Sequence, residues 1–313
     1  MAAVRANLTT QDSTSYPPLQ FLPGEEGFAL ESPAKINLGL RILARRPDGY
    51  HDIETVFQEI SLADRLEFRP ADEWRLSCTD KALDCGEDNL IARAATKLSQ
   101  AMGHPRKAAV HLTKRIPIGG GLGGGSSNGA VTLWGLRRLW NLNIEVSVLE
   151  QVASEMGADC PFFLRGGLAW ATGRGDLLEW LEGAIGGTVV LVIPQIAVST
   201  KWAYENAQVA LTNREKKCIL RGYIFQPDPL PALQALAAND FEPAVFRRFP
   251  ELREIKQQLL GEGAQFAALS GSGGTLFGVF RQRSDADRAA AFFQRRYPTL
   301  ICSPIARARL PHG

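Results

Sequence analysis

Between Pro117 and Asn128 the chain reads Pro-Ile-Gly-Gly-Gly-Leu-Gly-Gly-Gly-Ser-Ser-Asn, with glycine at six of the seven positions 119–125. Glycine reaches positive φ without steric cost and lets a backbone come close to a ligand. Several N–H groups can then converge on an anion as a nest. A strand pattern at Ala108–Thr113 precedes the run, and an apolar helical pattern from about Ser127 to Trp140 follows it. The positive end of that helix favours negative charge. A flexible linker is the bland alternative, but a linker does not ordinarily lead from a strand straight into an apolar helix. The expectation is a phosphate loop made of Pro117, Ile118, Gly119, Gly120, Gly121, Leu122, Gly123, Gly124, Gly125, Ser126, Ser127 and Asn128. It is not a P-loop, because Gly125 is followed by Ser126-Ser127 and no lysine. Gly119, Gly121 and Gly124 match GxGxxG, but a dinucleotide fold needs a second parallel strand ending in an acid about 20 residues later. Here Trp140-Asn141-Leu142-Asn143 leads into another helix pattern.

The 313 residues suit two domains. Lys plus Arg number 35 against 33 Asp plus Glu, a net +2, which argues against nucleic-acid and anionic-membrane partners. The five cysteines form no CxxC pair and are odd in number, so neither a zinc site nor a disulfide framework is expected. A reducing, cytoplasmic setting fits best. The most continuous apolar stretch, Val189–Ile193, is closed by Pro194 and falls far short of the about 20 residues that span a bilayer. Met1–Gly27 has no apolar signal core and is expected to be a poorly ordered extension; plastid import stays open.

Ala34, Ile36, Leu38 and Leu40 alternate with Lys35, Asn37, Gly39 and Arg41, the pattern of a half-buried strand with a polar face. Pro47-Asp48-Gly49 is a turn signal. Ile53–Leu62 and Asp64–Phe68 read as strands joined by a tight bend. A helix runs from Asp88 or Asn89 to Met102, with Gly103 as C-cap. Ser147–Glu150 matches a capping box opening a helix that Gly157 closes. Phe162–Ala171 reads as strand, up to a Gly173-Arg174-Gly175 turn. From Val189 the pattern gives a strand, a connection with Pro227, Pro229 and Pro231, a helix over Leu252–Leu260 and a glycine turn at Ser270–Gly274. A strand at Thr275–Phe280, a helix at Ala286–Arg295 and a strand near Ile301 complete it. Strands and helices mix without regular alternation, which predicts an α+β fold.

The Pro117–Asn128 run resembles the ATP loop of the GHMP kinases, which phosphorylate galactose, homoserine, mevalonate and related alcohols. Ser32-Pro33-Ala34-Lys35-Ile36-Asn37-Leu38, followed by Arg46-Pro47-Asp48-Gly49-Tyr50-His51, is similar to the N-terminal signature of the 4-diphosphocytidyl-2-C-methyl-D-erythritol kinase family. Gly157-Ala158-Asp159-Cys160-Pro161-Phe162-Phe163 resembles that family's catalytic segment, and Ser270-Gly271-Ser272-Gly273 its third, glycine-rich motif. The resemblance runs from about Glu31 to Phe280. It implies an N-terminal lobe like domain 2 of ribosomal protein S5 over residues 28–183, a ferredoxin-like lobe over 184–313, and ligands in the cleft between. It also implies ATP-dependent phosphorylation of the 2-hydroxyl of 4-diphosphocytidyl-2-C-methyl-D-erythritol, in the non-mevalonate (methylerythritol phosphate) route to isoprenoid precursors.

By the same resemblance Asp159 is the general base, since a substrate alcohol needs a proton acceptor as the phosphoryl arrives. Lys35 steadies the developing charge. Without the family match, Asp159 reads equally well as a turn residue and Lys35 as an exposed strand lysine. Tyr50 and His51 are expected at the cytosine, with Asn37, Phe57 and Tyr204 also in the substrate pocket; Phe57 is equally a core candidate. Asn89 and Lys114 match nucleotide-side positions, and Asn89 is also a helix cap. Ser272 either closes over the phosphates or serves a glycine turn, and Arg174 either nears the substrate or faces solvent. Magnesium is expected with ATP; Ser127 is a candidate ligand, the protein ligands otherwise being unassigned. Partners are the small cytidyl diphosphate substrate, no nucleic acid and no membrane, with monomer and dimer both open. Two rivals remain: a homoserine- or mevalonate-type kinase, which should lack the Pro-Asp-Gly-Tyr-His run, and a non-catalytic nucleotide sensor, which should lose Asp159 or Lys35.

Overall fold

The computed structural model describes residues 19–22, 26–207 and 238–307. Most of the N-terminal extension and the Pro227–Pro231 connection lie outside the described residues. Among these residues, no helix is long and apolar enough to cross a membrane.

The first lobe is a seven-stranded sheet backed by helices. Its spine is a long hairpin of β2 (Phe28–Arg45) and β3 (His51–Arg69), turned at Pro47-Asp48-Gly49, where Gly49 takes φ +86°. A short β1 (Leu19–Phe21) pairs antiparallel with the start of β2, so the extension contributes at least one ordered strand. The far edge of β3 is shared. Its C-terminal half pairs with β5 (Ala109–Thr113), which carries β4 (Arg75–Cys78) in parallel. Its N-terminal half pairs with β6 (Leu168–Thr172), which pairs with β7 (Leu177–Leu181). Helices α1 (Leu90–Met102), α2 (Gly124–Leu139) and α3 (Val146–Ser154) cover the back. The α1 boundaries follow the sequence signals: Asn89 accepts from the Ile91 amide, and Gly103 ends the helix at φ 60°.

The second lobe is a four-stranded antiparallel sheet built from β8 (Thr188–Val192), β9 (Phe266–Leu269), β10 (Leu276–Phe280) and β11 (Thr299–Cys302). Its order is β11-β8-β10-β9, the ferredoxin-like arrangement expected. Helices α4 (Thr200–Asn206), α5 (Glu242–Arg248), α6 (Pro250–Gly261) and α7 (Arg283–Phe293) complete it.

The sheets meet through their apolar faces. Ala34, Ile36 and Leu38 of β2 and Val56 and Ile60 of β3 pack with Val189, Leu191, Phe277 and Val279 in one buried cluster. Because strand side chains alternate, this burial fixes Lys35 and Asn37 on the opposite face, toward the first lobe's helices. That face is not solvated as the alternation suggests: Lys35 is 4% and Asn37 2% exposed, because the glycine run and α2 lie over it. Residues Ser303–Arg307 return to β3, where Arg307 grips the buried Glu59 carboxylate with two nitrogens.

Several expectations change. The two strands predicted at Ile53–Leu62 and Asp64–Phe68 are one strand whose bend is a bulge opposite Pro33/Ala34. Phe162–Ala171 is not one strand: Pro161–Leu164 is a 3-10 turn, opened by a proline whose fixed φ suits a first helical position, and both Phe162 and Phe163 are buried there. The α3 helix begins one residue before Ser147 with Glu145 at its N-cap, so the capping box does not form. Helix α2 begins at Gly124, not Ser127, so the last glycines of the run form its first turn.

Candidate active site

The glycine run divides into a loop and a helix start. Gly119, Gly121 and Gly123 take φ of 73°, 76° and 71°, so alternate residues need the left-handed region that glycine supplies. Gly123 is the N-cap of α2 and offers no side chain, so the first-turn amides stay open to a ligand. Together with Asn89, Lys114, Ser126 and Asn128, the run lines a cavity of about 450 Å3. Asn89 caps α1, as expected, and also lines this cavity.

Beneath the cavity lies a carboxylate that sequence reasoning missed. Asp64, on the bulged stretch of β3, is wholly buried. One oxygen accepts from Lys114 Nζ at 2.6 Å and Asn128 Nδ2 at 3.0 Å; the other accepts from the Arg115 and Ile116 amides at 2.6 and 2.8 Å. Asp64 thus anchors the strand leading into the loop, the lysine beside it and the first residues of α2. An acid inside an apolar strand carries no local signal of its partners, which lie about 50 and 64 positions away. Ser127 is also part of this underside. Its hydroxyl is unexposed and lies 2.7 Å from that of Ser32, so it faces away from the cavity and does not suit the metal-ligand role weighed for it.

A second cavity, of about 1020 Å3, opens between the lobes. Lys35, Asn37, Tyr50, His51, Phe57, Asp159 and Tyr204 all line it, so the expected acceptor-side residues come together there. Lys35 Nζ donates to Asn37 Oδ1 at 2.6 Å and lies 3.5 Å from Asp159 Oδ2. Asn37 in turn donates to the Thr55 hydroxyl, which donates to the Gly39 carbonyl. This chain fixes the lysine rotamer. Phe57 is a core residue, packing on Phe162, whose ring also lines the cavity 5.0 Å from the Lys35 ammonium. Asp159 sits in the turn after α3, and the residues that follow it, Cys160, Phe162 and Phe163, are buried. Its side chain is one-third exposed (33%), toward the cleft, while that of Lys35 is 5% exposed.

The aromatic end differs in detail from a simple Tyr50 platform. His51 stacks on Tyr204 at 4.9 Å and 14°, with Phe241 edge-on behind the tyrosine. Tyr50 is 59% exposed, and Arg174, held by Asp176, lies 5.3 Å over its ring. Burial, with a smaller contribution from Arg45, holds the His51 pKa below its ordinary value, so the ring is neutral at pH 7. Burial and the Asp159 charge push the Tyr204 phenol up to about 12.

The two cavities share Gly121 and Gly123. A Cβ on Gly123 would stand 3.1 Å from Lys35 Cγ, so the Lys35–Asp159 pair lies at their junction. From the second lobe the Ser270–Gly273 turn closes on the loop, Ser270 Oγ donating to the Gly121 carbonyl at 3.0 Å. Ser272 bonds Thr200 and lines the larger cavity rather than the smaller. Among the described residues, no three His, Cys, Asp or Glu side chains gather as a metal cluster.

Two family models match the chain: the GHMP kinases N terminal domain over residues 89–167 and the GHMP kinases C terminal over 228–299. A 4-diphosphocytidyl-2-C-methyl-D-erythritol kinase from Chlorobium phaeobacteroides is 44% identical over 277 residues, covering 87% of this chain and 96% of that protein. One from Salinibacter ruber is 41% identical over 268 residues, covering 84% and 93%. A crystal structure of 4-(cytidine 5'-diphospho)-2C-methyl-D-erythritol kinase superposes with a TM-score of 0.70 at 34% identity, covering 88% of this chain and 98% of that one. A homoserine kinase from Cytophaga hutchinsonii superposes at 0.72 with 18% identity over 93% of this chain and 98% of its own, a likeness of fold alone.

Proposed function

The chain belongs to the 4-diphosphocytidyl-2-C-methyl-D-erythritol kinases of the GHMP group, and on that premise we propose that it moves the γ-phosphate of ATP onto the 2-hydroxyl of this cytidyl diphosphate alcohol. The product would enter the non-mevalonate (methylerythritol phosphate) route to isoprenoid precursors. One observation carries the reading: the Lys35–Asp159 pair stands where a glycine-lined cavity meets an aromatic-ended one.

In this reading ATP occupies the smaller cavity, its phosphates on the loop amides, the α2 N-terminus and Lys114. The acceptor occupies the larger one, with its cytosine near His51, Tyr50 and Tyr204 and its polyol near Asn37 and Phe57. As the Pγ–O bond to the acceptor forms, the alcohol proton passes to the Asp159 carboxylate, and the bond from Pγ to the bridging oxygen breaks to release ADP. Lys35, prevented from swinging away by Asn37, orients Asp159 and offsets negative charge on the acceptor oxygen. Asp64 and Ser127 are not placed to hold a divalent ion, since both Asp64 oxygens are saturated and Ser127 is turned inward. Magnesium would enter with ATP, and Asp84 and Asp88 are the carboxylates that line the smaller cavity. The four described cysteines are free, which supports a reducing, cytoplasmic setting.

A coupled ADP-release assay with MgATP tests this by comparing the cytidyl diphosphate alcohol with homoserine, mevalonate and galactose. Turnover on the first alone is expected. Turnover on another alcohol keeps the phosphoryl-transfer site and discards the cytosine pocket. Asp159→Asn should lower kcat by about 10²–10⁴-fold and leave ATP binding near normal by calorimetry; full activity would remove Asp159 as the base.

A further inference from the structure

Arg93 lies on α1 one helical turn beyond Asn89, to whose carbonyl its backbone N–H donates. Asn89 and Leu90 line the smaller cavity and Arg93 the larger, so this face of α1 runs past the junction of the two. The Arg93 side chain is half-buried, and among the described residues its guanidinium has no hydrogen-bond or ion-pair partner. The nearby acids are taken. Glu155, on the same cavity wall, pairs with Lys97 at 2.6 Å, and Asp159 pairs with Lys35. A half-buried guanidinium without a carboxylate is costly unless an anion arrives, and its planar fork suits phosphate oxygens.

The Cys160 thiol is consistent with this placement: burial first, then the Asp159 charge, push its pKa up, while Ser126, from the first turn of α2, and the Arg93 charge pull it down. We propose that Arg93 is a further catalytic residue, whose guanidinium binds the γ-phosphate of ATP and follows it as it moves to the acceptor. This rests on the kinase reading above. It also addresses a gap in that site: Lys35 is committed to Asn37 and Asp159 and Lys114 to Asp64. Of the other described cations lining the larger cavity, Arg45 lies on the hairpin beside His51 and Lys201 on α4 of the second lobe, so Arg93 is the one carried on α1 next to the residues of the smaller cavity.

The test uses the full chain with Arg93→Met, Arg93→Lys and Arg93→Ala, after thermal melts show all three folded like the parent. The primary readout is the preference for MgATP over MgADP, measured by calorimetry without acceptor and therefore independent of the acceptor's identity. Arg93→Met is expected to lose about tenfold of that preference while ADP affinity holds within about threefold. With acceptor, kcat should fall about 10²–10³-fold with the acceptor KM little changed. Arg93→Lys should fall between, because the charge remains and the fork is lost, and added guanidinium ion should restore part of the Arg93→Ala activity. An unchanged ATP-over-ADP preference in Arg93→Met overturns the proposal even where the parent phosphorylates its substrate. Absence of turnover in the parent, with the preference lost in the variant, overturns the acceptor assignment alone.

Discussion

At Gly121 the backbone of the first lobe lies against that of the second, and Gly121→Ala has a cost that can be worked from the structure. Gly121 holds φ at 76°, and a Cβ there would stand 1.9 Å from the Ser270 carbonyl oxygen, 2.9 Å from Ser270 C and 3.0 Å from the Gly273 nitrogen. The left-handed conformation costs a non-glycine residue about 1–2 kcal/mol. Ordinary contact begins near about 3.5 Å, so the Ser270–Gly273 turn must retreat by roughly 1.5 Å. That retreat breaks the Ser270 hydroxyl bond to the Gly121 carbonyl, about 1 kcal/mol, and the whole comes to about 3 kcal/mol. Gly119→Ala is the internal control: φ is 73°, but nothing lies within 4 Å of the added carbon, so only the conformational cost applies. In urea, at a slope of about 3 kcal/mol per molar, the midpoint should drop by about 1 M for Gly121→Ala and about 0.5 M for Gly119→Ala. Because Gly121 lines both cavities, its variant should also lose about 100-fold in kcat/KM, the scale of a 1 Å misplacement of reacting groups. Equal midpoints for the two variants would refute the claim that the lobes are held in register through this contact.

Two further outcomes follow from buried charge and from titration. Asp64→Asn should destabilise the chain by about 3–5 kcal/mol in urea, since it leaves the nearly buried Lys114 ammonium without its counter-charge; adding Lys114→Met should recover part of that loss, and additive costs would show that the pair is not coupled. His51 is held below its ordinary 6.5 by burial first and Arg45 second. The unfolded chain therefore binds more protons between the depressed value and 6.5, and stability falls as pH drops through that window while staying flat above it. Relative to His51→Gln, the wild-type Tm should decline by at most about 2 °C from about pH 7.5 to about pH 5; a rise instead would mean that the histidine gains a counter-charge on folding.

The sequence by itself determined the local devices. Glycine's access to positive φ made the 119–125 run legible as a loop with left-handed residues running into a helix, and the Asn89 and Gly103 caps bounded α1 because capping is chemistry between near neighbours. The alternation through Ala34–Arg41 placed Lys35 and Asn37 together on one face, and the Gly157–Phe163 segment singled out Asp159. Tertiary structure alone decided what those faces meet. That Lys35 is buried, that Asp64 gathers Lys114, Asn128 and two loop amides, that Ser127 turns inward to Ser32, and that His51 rather than Tyr50 stacks on Tyr204 all depend on pairs far apart in the chain. The strand at Phe162–Ala171 was misread for a related reason: a short apolar run has no period until packing assigns its sides, and Pro161 with two buried phenylalanines assigned three. Secondary structure is written in spacing along the chain, whereas the partner of a buried charge is set by which distant segment the core brings against it.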